Sequence, residues 1–349
     1  MVRTRPDRSL ARICRTVPVL ALLLILTCAQ AVSAQTVEAV GSRALGMGGA
    51  FVAVANDSSA TWWNPGALAN GPYMDIALAR AVTDSSQQAP ASRDWASWFA
   101  LGTPAVGLSY YRLRLTEIAG TGSTVTGGPV REDGLGVVPL RSLSARQFGV
   151  TLVQTLMTGV HVGTTLKYVY GSVRTGFGAS GQSASDLLSQ GKDLEGGDGN
   201  WGIDADIGVL AVGGPVRVGG LVRNIREIEF EAPVGPPMRL SRQARIGVAF
   251  DGAAVDSVPL VLSLDADVMR YGTATGDRRV IALGAEQWLF SKRIALRAGG
   301  RFNTVGGEDR AATGGVSVAL RSGLYVDGHI VRGGTADDRG WGIAARVSF

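Results

Sequence analysis

Only two cysteines occur in the chain, Cys14 and Cys28, and both lie in its N-terminal stretch. A mature protein that begins after that stretch has neither a thiol nor a disulfide, so export here brings no disulfide framework. Histidine is as scarce, with His161 and His329 alone. Beyond the N-terminal stretch, no run approaches the roughly 18 consecutive apolar residues of a membrane-crossing helix. Residues 1–34 read as an export signal. Arg3, Arg5, Arg8, Arg12 and Arg15 precede the apolar core Val17–Thr27, and Val32-Ser33-Ala34 offers a cleavage site before Gln35. Their removal takes away those arginines and Asp7, and the net charge falls from +5 to +1. The basic isoelectric point therefore implies no nucleic-acid partner.

Glycine is abundant, 49 of 349 residues, about twice the usual share. It is scattered inside apolar segments, where it weakens helices and suits tightly curved sheet. Period-two alternation is frequent. In the last nine positions Trp341, Ile343, Ala345, Val347 and Phe349 share one face, with Gly342, Ala344, Arg346 and Ser348 on the other. Val261–Arg270, Trp201–Leu210 and Arg293–Phe302 alternate in the same way. This parse predicts about fourteen strands, beginning near Met74, Trp95, Ala105, Arg146, Val160, Trp201, Pro215, Leu240, Val258, Arg279, Arg293, Ala311, Leu324 and Trp341.

The connections segregate. Those after odd-numbered strands (81–94, 116–145, 174–200, 225–239, 271–278, 303–310, 333–340) are each longer than those after even-numbered strands (102–104, 156–159, 211–214, 251–257, 290–292, 321–323). An even-stranded, all-β transmembrane antiparallel barrel of the outer membrane has this asymmetry, with short periplasmic turns and long outer loops. A soluble sandwich or lipocalin-like barrel gives no reason for it. Trp341, Ile343, Val347 and the terminal Phe349 resemble the signal read by the outer-membrane assembly machinery. Trp95, Trp98, Tyr168, Tyr170, Trp201, Tyr271, Trp288 and Trp341 are predicted to form interfacial girdles against the outer-membrane lipids.

Residues 41–70 are too apolar for a linker and too short for a domain. With a barrel formed by 73–349, residues 35–72 are predicted to form a short plug inside it. Ala44, Gly46, Gly48, Gly49 and Ala50 permit close backbone packing. Asn56-Asp57-Ser58-Ser59 is turn or cap chemistry. Pro65 holds Asn64 extended, and the Asn64 side chain can close a local turn.

Three motifs in this block carry a resemblance: Gly46-Met47-Gly48-Gly49-Ala50, Asp57-Ser58-Ser59-Ala60 and Asn64-Pro65. They resemble the start of the FadL-like superfamily of outer-membrane transport proteins, which includes the PorV/PorQ-type proteins. The segments Leu283-Gly284-Ala285-Glu286 and Arg297-Ala298-Gly299, through to Phe349, are similar to the PorV/PorQ branch. Gly66 stands where alanine is usual, a departure expected to loosen the motif. The resemblance implies a channel for hydrophobic small molecules, with Gly48, Gly49, Asp57, Asn64, Pro65 and Gly66 as plug and gate. Alternatively it implies an outer-membrane partner of a type IX-like secretion system, holding exported proteins at the surface.

The faces opposite the apolar ones are predicted to line the lumen with Asp204, Asp206, Arg217, Arg223, Asp265, Asp267, Glu286, Arg297, Arg301, Asp327, His329 and Arg346. Such a lumen disfavours a continuous greasy tunnel. Asp327 and His329 share a face at hydrogen-bonding separation, but no serine signature accompanies them, so no enzyme is expected. Asp193, Asp198, Asn200, Asp204 and Asp206 do not match a calcium loop. Gly46–Gly49 is no nucleotide fingerprint, and neither metal nor cofactor is expected. The outer loop 116–128 is glycine-rich, and Leu135–Leu140 in the same connection supplies some apolar surface.

Overall fold

The structure, a computed structural model, describes residues 39–85, 90–118, 137–179, 181–255, 259–273, 276–306, 309–334 and 338–349. The expected export signal, residues 1–34, and most of the loop 116–128 lie outside the described residues.

Fourteen strands close into one antiparallel barrel. They are β1 (Asp75–Ser85), β2 (Ala91–Gly102), β3 (Val106–Ile118), β4 (Val137–Met157), β5 (Val160–Ala179), β6 (Asn200–Gly213) and β7 (Val216–Arg223). The second half comprises β8 (Gln243–Asp251), β9 (Leu260–Asp267), β10 (Val280–Leu289), β11 (Ile294–Asn303), β12 (Arg310–Arg321), β13 (Leu324–Gly333) and β14 (Arg339–Ser348). Sequence neighbours are sheet neighbours throughout, and β14 returns to β1 with Asp75 opposite Ser348 and Asp84 opposite Arg339. The Phe349 N–H donates to the Met74 carbonyl at 2.8 Å, which extends that seam by one bond. Among the described residues, three short α-helices accompany the barrel: α1 (Ser42–Gly46), α2 (Ala60–Trp63) and α3 (Ala184–Gln190).

Alternation decides which face each residue takes. Trp341 and Ile343 are exposed, whereas Gly342, Ala344 and Arg346 between and beyond them are buried. Across five strands the register places Leu78, Phe99, Tyr110, Phe148 and Tyr168 side by side, all exposed on the outer face. A continuous apolar band of this kind belongs against hydrocarbon and not water, which excludes the soluble sandwich.

Three expectations change. The strict separation of loop lengths fails, because the connection 252–259 on the short-turn side is longer than 86–90 on the long-loop side. The reason is that β1 and β2 pair as far as Ser85 opposite Ser92, and so absorb most of the expected loop 81–94. Strand β4 begins at Val137 rather than near Arg146, so Val137–Leu140 is strand and not loop. Strands β4 and β5 run for 21 and 20 residues, about twice the 9–11 that cross a bilayer. Their far ends persist because both faces are covered. Outside, Leu187 and Leu188 of α3 pack with Ala91, Ile118 and Leu140. Inside, Phe230 and Met238 of a small hairpin pack on Leu143, Val169 and Val173.

The aromatic girdle is also thinner than expected. Tyr168, Tyr170, Trp201 and Trp341 face outward. Trp98 faces inward against Tyr111 with ring centroids 5.9 Å apart, because the odd positions of β2 are the outward ones. Tyr271 is buried in a hairpin with Arg278. Trp288 points to the short-turn mouth, edge-on to Tyr325 at 5.8 Å.

Arginine placed at an outward mid-wall position tests the lipid-facing assignment. Leu283→Arg, at a site 48% exposed, is expected to cost about 2–4 kcal/mol in a bilayer. This is read as a lowered unfolding midpoint of the barrel in lipid; a soluble β-protein would show almost no change at so exposed a site.

Candidate functional site

Residues 39–68 of the N-terminal segment are buried almost without exception, and they contact the inward faces of strands all round the barrel. The segment is built from tight local turns. Gly48 and Gly49 take φ of 71° and 85°, left-handed values that favour glycine. Asp57 Oδ1 accepts from the Ser59 N–H at 3.0 Å and from its hydroxyl at 2.5 Å, ahead of α2. Asn64 is extended before Pro65, as expected, and its Oδ1 accepts from Gly66 N at 3.1 Å. Its Nδ2 donates to the carbonyls of Val52 (2.7 Å) and Val209 (2.9 Å), so one amide joins the segment to itself and to β6.

Glycine lets the two backbones touch. A Cβ on Gly66 would lie 2.7 Å from the Gly208 carbonyl oxygen and 3.0 Å from that of His161. One on Gly163 would lie 2.3 Å from the Pro65 carbonyl carbon, and one on Gly48 would lie 2.7 Å from the Gly300 oxygen. The expectation that Gly66 loosens the motif is thus reversed: alanine has no room there.

Charge completes the attachment. Arg43 of α1 spans Glu286 (Nη2 to Oε1, 2.6 Å; Nε to Oε2, 2.7 Å) and Asp57 (3.2 Å). Glu286 also accepts from Arg297 Nε at 2.6 Å, and Arg297 Nη2 donates to the Ser317 hydroxyl at 2.6 Å. Ser317 bonds Asp327, Asp327 lies 3.5 Å from Arg346, and Arg346 lies 3.4 Å from Asp75. Asp75 Oδ1 finally accepts the Ser58 N–H of the segment at 2.8 Å. The contacts form a circuit from β10 through β14 to β1 and back inside. Burial alone would raise the Asp57 carboxyl, but Arg43 and Arg346 outweigh it and hold it below the usual carboxylate range. Burial likewise opposes the Arg43 charge, yet Glu286 and Asp57 more than restore it.

All the charged positions predicted for the lumen face inward. Asp265 takes the N–H groups of Phe51 (2.7 Å) and Val52 (2.8 Å). Asp267 pairs with Arg245 at 2.7 Å, and Arg301 with Asp338 at 2.7 Å. Lys167 binds Asp206 at 2.6 Å and lies 3.6 Å from Asp204. Arg217 pairs with Asp251, and Arg223 lies over the Trp62 ring at 4.2 Å. The expected Asp327–His329 pairing does not form: Asp327 is taken by Ser317 and the arginines, and among the described residues neither His329 nitrogen has a hydrogen-bond partner.

Sequence reasoning missed the apolar part of the interior. On the long-loop side Leu115, Leu143, Val169 and Val173 face inward beneath Phe230, Met238 and Leu240 of the hairpin. Lys167 Nζ donates to Asn224 Oδ1 at 2.7 Å, and Asn224 Nδ2 donates to the Ser241 carbonyl at 2.9 Å, which fixes both ends of that loop. The lumen is therefore charged on β6–β14 and largely apolar on the upper β3–β5 wall. A signal was available: Leu113, Leu115, Leu143, Val169 and Val173 share strand parity with the polar inward residues. At the short-turn end, beyond the segment, lies a cavity of about 330 Å³ lined by Arg43, Arg217, Glu286, Trp288, Tyr325 and Arg346 among others.

Removing a shared buried carboxylate should be costly, since Glu286→Ala leaves Arg43 and Arg297 without it. A loss of about 3–5 kcal/mol is expected, and Gly66→Ala is expected to cost about 1–3 kcal/mol through overpacking. Unfolding midpoints in lipid and protease access to residues 39–70 measure both.

No protein-family model and no curated protein matches the chain. Solved structures do. A CymD monoaromatic hydrocarbon channel aligns over 89% of this chain and 98% of its own, with a TM-score of 0.62 at 14% identity. A Pseudomonas aeruginosa FadL homologue aligns over 90% and 99%, with 0.61 at 11%. The Pseudomonas putida toluene transporter TodX aligns over 91% and 99%, with 0.54 at 13%. At such identities the likeness is one of architecture, and the chain has the fold of these three proteins.

Proposed function

We propose that the protein is an outer-membrane channel for hydrophobic small molecules, with residues 39–70 as its gate. The observation that carries this reading is the division of the interior. An apolar wall under Phe230 and Met238 faces the long loops, a polar cavity faces the short turns, and the N-terminal segment fills the space between. A ligand of the hydrocarbon class would displace the Phe230–Met238 hairpin from β5, whose Gly171 lies against the Phe230 ring. Its onward path would require movement around Asn64-Pro65, where one amide holds the segment to β6. The solved neighbours named as a monoaromatic hydrocarbon channel and a toluene transporter support the substrate class. Long loops then face the exterior, and Phe349 at the seam is the element offered to the assembly machinery.

A second reading, a PorV/PorQ-like partner that holds exported proteins, is favoured by one observation. The far ends of β4 and β5 stand well beyond bilayer height, and α3 packs there on the outer face. Native mass spectrometry of gently extracted protein separates the two: a retained hydrocarbon supports the channel, a retained exported protein the partner role.

Deleting Val37–Gly71 tests the gate. The barrel is expected to assemble, because Glu286 keeps Arg297 and Asp75 keeps Arg346. Uptake of toluene into proteoliposomes should then rise. If no barrel forms, the segment is structural and the gate reading is wrong.

A further inference from the structure

The outer wall carries a row of arginines where lipid-facing strands would be expected to stay apolar. Register places Arg80 (β1), Ser97 (β2), Arg112 (β3) and Arg146 (β4) side by side, with Arg112 and Arg146 directly opposite each other. Neighbouring strands are about 4.8 Å apart, and like charges in directly opposed positions repel. The three arginines are exposed. The next outward row contains Trp95 and Arg114 opposite each other. The guanidinium carbons of Arg80, Arg112 and Arg114 lie 5.4, 5.8 and 5.8 Å from the Trp95 ring centre.

Among the described residues, none of Arg80, Arg112, Arg114 and Arg146 has an acidic group within salt-bridge distance. Asp84, on the same outward face, is already gripped by Arg93 at 2.6 and 2.7 Å. Arg114 has Arg112 and Arg174 in electrostatic reach as well as Asp193, and Asp193 sits 3.9 Å from Lys192.

The surroundings define a site with a floor and a roof. Immediately toward the short-turn end runs the exposed row Leu78, Phe99, Tyr110, Phe148 and Tyr168. Toward the long-loop end α3 overhangs the same face, with Arg93 donating to the Ser185 and Ser189 hydroxyls. The outward apolar run on β3 is short, Val106, Leu108 and Tyr110, before Arg112 interrupts it. A ligand here must therefore bring anionic oxygens to the arginines and hydrocarbon to the aromatic row beneath.

We propose that this face binds a phosphorylated glycolipid of the outer leaflet, of the lipid A class, with its phosphates on Arg80, Arg112 and Arg146 and its acyl chains along Leu78, Phe99, Tyr110 and Phe148. Guanidinium forks suit phosphate oxygens, and desolvation by the adjacent apolar row strengthens each contact. The proposal rests on the outer-membrane orientation given above but not on the channel's cargo.

The test titrates bisphosphoryl lipid A and its dephosphorylated form against the full mature barrel in detergent by native mass spectrometry, with the R80Q/R112Q/R146Q variant alongside. Retained heat-modifiable mobility shows that the variant is folded; Arg112→Gln and Arg112→Lys serve in its place should the triple variant fail to assemble. Half-saturation by bisphosphoryl lipid A is expected to rise at least about tenfold in the glutamine variants, with Arg112→Lys intermediate and the dephosphorylated form weak on all. Equal binding of both lipid forms, or equal binding by wild type and variant, overturns the proposal. So does displacement of bound lipid A by equimolar inorganic phosphate, which would mark an anion site without lipid. Loss of a co-purified protein from the variant, with lipid binding intact, would assign the face to a protein contact and also overturn it. Absence of toluene uptake with lipid retention intact would overturn the channel reading alone.

Discussion

A guanidinium buried inside a barrel must find counter-charge and hydrogen-bond acceptors there, or the cost exceeds what a fold can bear. Arg43 meets this requirement with Glu286 on one side and Asp57 on the other. Much else follows from that placement. Glu286 stands opposite Arg297 in the β10–β11 register and so serves both guanidinium groups. Arg297 in turn reaches Ser317 and, through Asp327, Arg346 at the last strand. The position of the enclosed segment and the register of five consecutive strands are thus stated in the same set of bonds.

The molecule sorts its polar groups by side. Inward, carboxylates and arginines alternate and satisfy each other, and they also take backbone donors of the segment, as Asp265 does with Phe51 and Val52. Outward, the wall is apolar where hydrocarbon is expected, except for the arginine row on β1–β4. The upper inner wall breaks the inward rule in the opposite sense, since Leu115, Leu143, Val169 and Val173 are apolar and covered by Phe230 and Met238. The proposed passage for a hydrophobic solute rests on that exception, not on the charged majority.

Strand parity was readable in the residues, so Asp204, Asp265, Glu286 and Asp327 were legible as inward. Their partners were not, because Ser317 with Asp327 or Arg43 with Glu286 depends on inter-strand register and on a contact across more than two hundred residues. The Asn64 turn was legible from Asn-Pro chemistry alone. The start of β4 was not, since α3 covers Leu140 from outside and erases the in–out contrast on which alternation depends. Gly66 was misread because family habit spoke for alanine, whereas the obstacle is the Gly208 carbonyl of a distant strand. The Phe230–Met238 hairpin, two residues a side, is too short for any periodicity to register.

Arg346 belongs to the final strand, yet it supplies positive charge to Asp75 on the first strand and to Asp327. Asp75 in turn holds the Ser58 N–H. The docking of the segment and the zipping of the β1–β14 seam therefore share a residue and are cooperative with each other. A sheet still missing its last strand would leave Asp75 short of its cation, and so would hold the Ser58 N–H less firmly. The completed chain is at once the lock on the cylinder and the clamp on what it contains.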